Sequence, residues 1–334
     1  MPKDSSAEPL SGLFGVVKPS GPTSMSIVND IKELVSTSPL FVEASKLATK
    51  SQKKGKKHGR QVVKIGQGGT LDPLADGVLV VAIGKGTKKL SDFLDCIKEY
   101  RTTCLLGCET DTYDSEGKQV RTAPWHHVTR EQVEKALEQF RGDIEQTPPI
   151  FSALKMDGKP LYDYARRGIP LPRPIEKRKV TVHSLELVEW TGSNHSYRWP
   201  EQKFTEEERA AMETALKGIN QETSVKDEPE VSAEAATATE QVPTAFVLQM
   251  RVSGGTYVRS VVHELAHSLG SAGHVVTLQR CRQGRYTLTP SASDDRPCIP
   301  WEVFEKALKD EGETDADGRK EWEKEVVSTL EIVS

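Results

Sequence analysis

The sequence predicts an α+β protein with a large mixed or mostly antiparallel sheet, flanked by helices and loops. Two kinds of strand-like run support this. VLVVAIG (Val78–Gly84) is continuously apolar, as in a strand buried on both faces, whereas KRKVTVHSLELVEW (Lys177–Trp190) alternates, as in a strand with one wet face. Amphipathic helical stretches lie between such runs without the regular strand–helix alternation of a doubly wound sheet. No internal repeat is present.

The elements follow in order. SMSIVNDIKELVSTS (Ser24–Ser38) places Ile27, Ile31, Leu34 and Val35 at helical spacing. The glycines of IGQGG (Ile65–Gly69) mark a loop before the Val78–Gly84 strand. KEYRTTCLLGCET (Lys98–Thr110) reads as a strand, and VTREQVEKALEQF (Val128–Phe140) as a helix capped near Thr129. AFVLQMRVSGGTYVRSVVHELAHSLG (Ala245–Gly270) reads as strand, Gly-Gly turn and a helix from near Thr256. The region after Trp301 reads as helical and partly exposed. These assignments give a flexible start (1–11), one principal domain (12–290) and a helical tail (291–334).

Composition narrows the class. The 334 residues suffice for one large domain or two ordinary ones, with 36% hydrophobic and 28% charged residues. No apolar run approaches the roughly 20 residues of a membrane span, and the opening stretch has no signal-peptide core. Five cysteines without a C-x-x-C pair suit free thiols in a reducing compartment. The net charge of −4 is unevenly spread. A basic insertion (43–64) carries Lys46, Lys50, Lys53, Lys54, Lys56, Lys57, Arg60 and Lys64. It reads as a solvated loop, a nuclear-import signal or a phosphate-binding arm. An acidic insertion (192–242) reads as disordered in its second half and as projecting away from any functional face.

Two stretches carry candidate chemistry. VVHELAHSLGSAGH (Val261–His274) contains His-Glu-x-x-His. On a helix His263 and His267 share a face, and Glu264 is placed as the general base of a zinc peptidase. The extended H-E-x-x-H-x-x-G-x-x-H pattern fails, because position 273 is Gly and His274 comes one residue late. A carboxylate third ligand from Glu302 or Glu305 is the remaining route. The competing reading is an amphipathic helix with surface histidines. GQGGTLDPLADG (Gly66–Gly77) is denser in constraint: its glycines let the backbone approach a ligand, and a proline-stiffened turn presents Asp72. Asp-Pro and Asp-Gly are also ordinary turn formers.

GTLDPLADGVLVVAIGKGTKKL (Gly69–Leu90) closely resembles the catalytic motif of the TruB family of pseudouridine synthases. Further stretches are similar to family motifs in the same order: VVKPSGPTS (Val16–Ser24), EYRTTCLLGCETDTYDSEGK (Glu99–Lys118), QTPPIFSALKMDGKPLYDYARRG (Gln146–Gly168), SGGTYVRSVVHELAHSLG (Ser253–Gly270) and AGHVVTLQRCRQGRY (Ala272–Tyr286). The resemblance implies the pseudouridine synthase fold for 12–290 and conversion of uridine 55 in the tRNA T-loop. It implies no cofactor and no metal. The two insertions look like the eukaryotic branch, whose members act in nucleus and mitochondria, and the lysine cluster favours the nucleus. No C-terminal PUA-type domain is expected after Tyr286, which sets the chain apart from the guide-RNA-dependent relatives.

The resemblance also implies roles. Asp72 is the essential carboxylate, either attacking ribose C1′ or removing the C2′ proton. Arg259 pairs with it, and Tyr100 stacks on the flipped uracil. Gln67, Lys155, Tyr162, Tyr257 and Leu278 are the expected substrate-binding residues, with Lys155 on phosphate and Leu278 excluding water. Position 67 departs from the family, which usually has His there; Gln hydrogen-bonds but cannot become charged, which bears on affinity or base flipping. The implied partner is the T-arm of tRNA, with T-loop-like mRNA hairpins as a second RNA class, no membrane and a monomeric chain. The alternatives are a tRNA-binding or tRNA-folding protein of weak activity and, more remotely, the zinc peptidase.

Overall fold

A computed structural model describes residues 8–43, 45–47, 63–216, 241–311, 314–316 and 318–333. Residues 1–7 of the start expected to be flexible, most of the basic insertion and the second half of the acidic insertion lie outside the described residues. Two compact units divide the chain: Met1–Lys98 with Gln279–Ser334, and Glu99–Leu278. Among the described residues no helix is long and apolar enough to cross a membrane.

The first unit opens with β1 (Gly12–Lys18), α1 (Ser24–Val35), β2 (Ile65–Gln67), β3 (Asp76–Ile83) and α2 (Leu90–Asp95). Thr23 caps α1 by accepting from the Ser26 N–H at 3.1 Å. β1 runs antiparallel to β3 over its whole length, from Gly12 opposite Ile83 to Lys18 opposite Gly77. Both strands are buried on both faces, as the continuous apolar run predicts. Phe14, Val16, Leu79, Val81 and Ile83 pack with Ile27, Ile31 and Val35 of α1. Leu13, Val78, Val80 and Ala82 pack with Phe93 and Tyr286.

The second unit carries β4 (Lys98–Leu106), β5 (Cys108–Thr110), β6 (Gln119–Thr122), α3 (Arg130–Ala136), β7 (Gly142–Gln146), β8 (Lys155–Met156), β9 (Lys159–Pro160), α4 (Leu161–Arg167), β10 (Arg178–Gly192), α5 (Glu206–Leu216), β11 (Ala245–Val252) and α6 (Val258–Ser268). Strands β4, β11, β10 and β7 run side by side in that order. The expected single strand over Lys98–Thr110 breaks at Gly107. That residue has φ 89°, and a Cβ there would press on Trp125 and Trp199. Thr129 and Gln132 form the capping box of α3. The first half of the acidic insertion includes a packed helix. Its helix α5 packs on α4: Ala215 joins the cluster of Ile150, Met156, Leu161 and Tyr164, and Glu208 accepts from Lys118 at 2.5 Å.

Strand β12 (Gly273–Gln283) begins in the second unit and ends in the first, where β13 (Tyr286–Thr287), β14 (Arg296–Pro300), α7 (Trp301–Leu308), α8 (Glu321–Thr329) and β15 (Glu331–Ile332) follow. The segment 291–334 is more than a helical tail. β14 pairs parallel with β1, and β15 pairs antiparallel with its start. Phe304, Trp322 and Val326 are fully buried, with Phe304 stacked on Phe14 and Trp322 on Phe41. The short, proline-flanked RPCIP has no alternation to announce a strand; pairing with β1 makes it one.

Candidate active site

In the first unit the site grows out of two stretches far apart in sequence. The loop between β2 and β3 turns at Asp72–Ala75, where the Ala75 N–H donates to the Asp72 carbonyl at 3.1 Å and Pro73 takes the position that favours proline. The KPSGPTS stretch then takes up the loop's remaining backbone groups. Lys18 Nζ donates to the carbonyls of Ala75 (2.6 Å), Pro73 (3.1 Å) and Pro19 (2.8 Å). The Ser20 hydroxyl donates to Leu74 at 2.6 Å. The Ser24 hydroxyl donates to the Leu71 carbonyl and accepts from the Leu71 N–H at 2.8 Å. Asp72 stands half-buried in this clamp. Gly77 follows with φ 102°, where any Cβ would collide with the Arg280 backbone. Arg280 itself is buried and donates through Nε to Val78 at 2.7 Å.

Gln283 holds the other side of the loop. Its buried amide donates to the Gly68 carbonyl and, at 3.0 Å, to Phe93 at the end of α2. Lys98 caps the same helix end, donating to Phe93, Leu94 and Cys96. Gln67 lies on β2 with Nε2 3.4 Å from the Thr70 hydroxyl, while its Oε1 is buried without a partner.

Lys18 is a buried ammonium. Burial pushes its pKa down to about 8; the carboxylates of Asp76 and Asp72 pull the other way, and Arg280 adds to the depression. The folded chain therefore holds this proton less tightly than the unfolded chain does. Stability is expected to rise with pH between about 8 and the ordinary lysine value of 10.5. Burial lowers Lys98 in the same direction. Lys18→Met should remove most of that rise, read as the urea midpoint against pH. An unchanged slope would assign the titration to another group.

The second unit holds the other expected residues. Arg259 is not a surface arginine. It is 4% exposed in the first turn of α6, and its guanidinium donates to the carbonyls of Thr112 (2.5 Å) and Phe151 (3.1 Å). Its Nε lies 3.7 Å from the buried Asp114 carboxylate. The helix starts at Val258 rather than near Thr256. Its N-cap, Tyr257, has no side-chain cap; instead the Gln146 amide donates to the Tyr257 carbonyl and accepts its N–H at 2.8 Å. Tyr100 is 8% exposed on β4, and Leu278 is buried in β12. Lys155 is exposed on the β8–β9 hairpin. Tyr162 is 38% exposed on α4 with Arg166 over its ring, whereas Tyr164, two residues on, fills the core. Sequence reasoning missed Lys18, Ser20, Ser24, Gln283 and Asp114. All five sit in stretches already singled out, and for the first three the short polar spacing is the available signal.

Residues 56–206 match the family model described as TruB family pseudouridylate synthase, N-terminal domain. The tRNA pseudouridine synthase 4 of Schizosaccharomyces pombe is 37% identical over 341 residues, covering 88% of this chain and 82% of that protein. The chain belongs to the TruB family. Pseudouridylate synthase TRUB1 of Mus musculus is 36% identical over 284 residues, with 85% of this chain and 66% of that protein covered. The tRNA pseudouridine synthase B of Aromatoleum aromaticum is 37% identical over 227 residues, with 67% and 56% covered. This TruB-family chain thus has the pseudouridine synthase fold and is an enzyme of that class, which retires the zinc peptidase reading of HELAH. The carboxylates suggested as third ligand, Glu302 and Glu305, lie on α7 of the first unit.

Proposed function

We propose that this chain isomerises a uridine of tRNA to pseudouridine, at position 55 of the T-loop. The observation that carries the reading is the clamp on the Asp72 turn. Three side chains of KPSGPTS are spent on the carbonyls of 71–75, so the loop has little to do but present a carboxylate. The names of the relatives, tRNA pseudouridine synthases among them, supply the substrate class.

The reaction breaks the N1–C1′ bond, turns the uracil and forms C5–C1′; C5 loses a proton and N1 gains one. Asp72 serves either as nucleophile at C1′, leaving an ester that the uracil carbon displaces, or as base at C2′, leaving a glycal. The target base must leave its stack, at a cost of a few kcal/mol. Tyr100 is assigned to stack on the uracil and Arg259 to hold the Asp72 charge, both by the motifs that carry them. Leu278 is assigned to closing the base pocket, Tyr257 to the RNA face and Gln67 to holding the flipped loop. Lys155 and Tyr162 are assigned to the RNA backbone, supported by their exposure beside Lys159 and Arg166. A T-loop-like hairpin in mRNA offers the same shape and is a second substrate of this reading.

The deciding experiment uses an unmodified tRNA transcript with tritium at uridine C5. Release approaching one tritium per tRNA, abolished by a uridine-to-cytidine change at position 55, is the expected result. Release from another position would overturn the site, and none would favour the binding-only reading. Deleting 48–62, which removes Lys50, Lys53, Lys54, Lys56, Lys57 and Arg60, should weaken tRNA binding. If all six charges meet phosphates, the slope of log K against log salt flattens by about 5. An unchanged slope would assign the segment to transport instead.

A further inference from the structure

The histidines of HELAH meet an acid from another element of the same unit. Glu109 on β5 reaches both: its Oε2 is 2.9 Å from His267 Nε2, and its Oε1 is 3.9 Å from His263 Nδ1. One ligand-type atom from each residue lies within 4.8 Å of the other two. The site is built rather than incidental. His263 is 15% exposed, and its ring stacks on Tyr113 with centroids 3.8 Å apart. Tyr113 holds a positive φ of 63° in doing so, a conformation uncommon for a bulky residue. The inward-facing Nδ1 of His263 is shielded from solvent and has no hydrogen-bond partner.

The polar contacts around these atoms cannot all be satisfied by protons. His267 Nε2 lies 2.9 Å from Glu109 Oε2 and also 2.9 Å from Arg121 Nη2. A carboxylate only accepts and a guanidinium only donates, while one ring nitrogen offers either a proton or a lone pair. One of the two contacts is therefore mismatched in either state. The donor atoms also suit a metal. Two imidazole nitrogens and a carboxylate oxygen converge there, and Arg121 Nε also donates to Glu109 Oε2 at 3.2 Å.

We propose that Glu109, His263 and His267 form a three-ligand site for a divalent transition metal of the zinc class, completed by water. Two imidazoles and one carboxylate are a zinc-type donor set. His267, 43% exposed, opens the site to solvent, and the partly exposed Arg121, which pairs with Glu109, is the cation that the metal would displace. The ion ties β5 to α6, four residues beyond Arg259 on that helix. Its role is structural and separate from Asp72, so it stands whether or not the tRNA reading does.

The test is metal binding by the full chain, stripped by a chelator and titrated with zinc and with cobalt. One equivalent should bind, with cobalt bands of a tetrahedral nitrogen and oxygen site and no sulfur-to-cobalt charge transfer, together with a rise in melting temperature. His267→Ala should weaken binding at least about tenfold. Arg121→Gln should tighten it roughly tenfold, because the cation no longer competes with a fixed positive charge. A general folding defect cannot move two variants in opposite directions, and circular dichroism checks that both are folded. No stoichiometric binding, binding indifferent to both variants, or sulfur–cobalt bands would each overturn the site.

Discussion

Asp72→Asn reduces tritium release from uridine-labelled tRNA by more than about 10⁴-fold, the scale set by removing a group that forms or breaks bonds. The replacement has the same shape. The turn around it is held through backbone carbonyls of Leu71, Pro73, Leu74 and Ala75, none of which depends on the residue at 72. Fold and RNA affinity should therefore stay within about twofold of wild type, since the clamp is intact and the side chains proposed for phosphate are unchanged. The substitution removes the negative charge and one carboxylate oxygen. Filter binding with the same transcript, alongside the release assay, separates the two effects. Turnover within tenfold of wild type would remove Asp72 from the chemistry. A parallel fall in binding would instead make it a ligand for RNA.

Arg259→Met lowers the melting temperature of the second unit and abolishes turnover. The loss has an identifiable source. The substitution removes a guanidinium that satisfies the carbonyls of Thr112 and Phe151 and faces the buried Asp114. Removing one member of a buried pair costs about 3–5 kcal/mol, which is roughly 6–20 °C at the slope of a domain this size. Arg259→Lys should recover only part, because one ammonium cannot reproduce a planar fork aimed at two carbonyls. Thermal melts followed by circular dichroism measure this. A variant as stable as wild type would mean that the network around Arg259 contributes little to the unit's stability.

How much of this was legible beforehand differs from residue to residue. The helix over Ser24–Val35, the buried strand ending at Ile83 and the capped helix at Thr129 were plain, because each is written in local periodicity and caps. Asp72 stood out because glycines and proline concentrate around it. Arg259 was named from its motif, but nothing local announces that it is buried; Thr112, Asp114 and Phe151, more than 100 residues away, bury it. Gln146 as the cap of α6 is a distant partner of the same kind. The strand Arg296–Pro300 was invisible because its only reason to be a strand is the edge of β1. Glu109 beside HELAH was missed because a third ligand was sought downstream of the histidines, while this carboxylate lies upstream on strand β5.

The pairing of β14 and β15 with β1 has a consequence for synthesis. Lys18, which grips the Asp72 turn, ends a strand whose neighbours include Cys298–Pro300 and Glu331–Ile332. The ribosome makes about 180 residues of the second unit in between, which at 5–20 residues per second takes roughly 10–40 s. The second unit is contiguous and is free to fold as it emerges. The N-terminal half of the first unit must wait with its apolar strands unpaired on that edge. Newly made chains should thus pass through a stage in which the second unit is folded and the unit that carries Asp72 is exposed to chaperones and proteases.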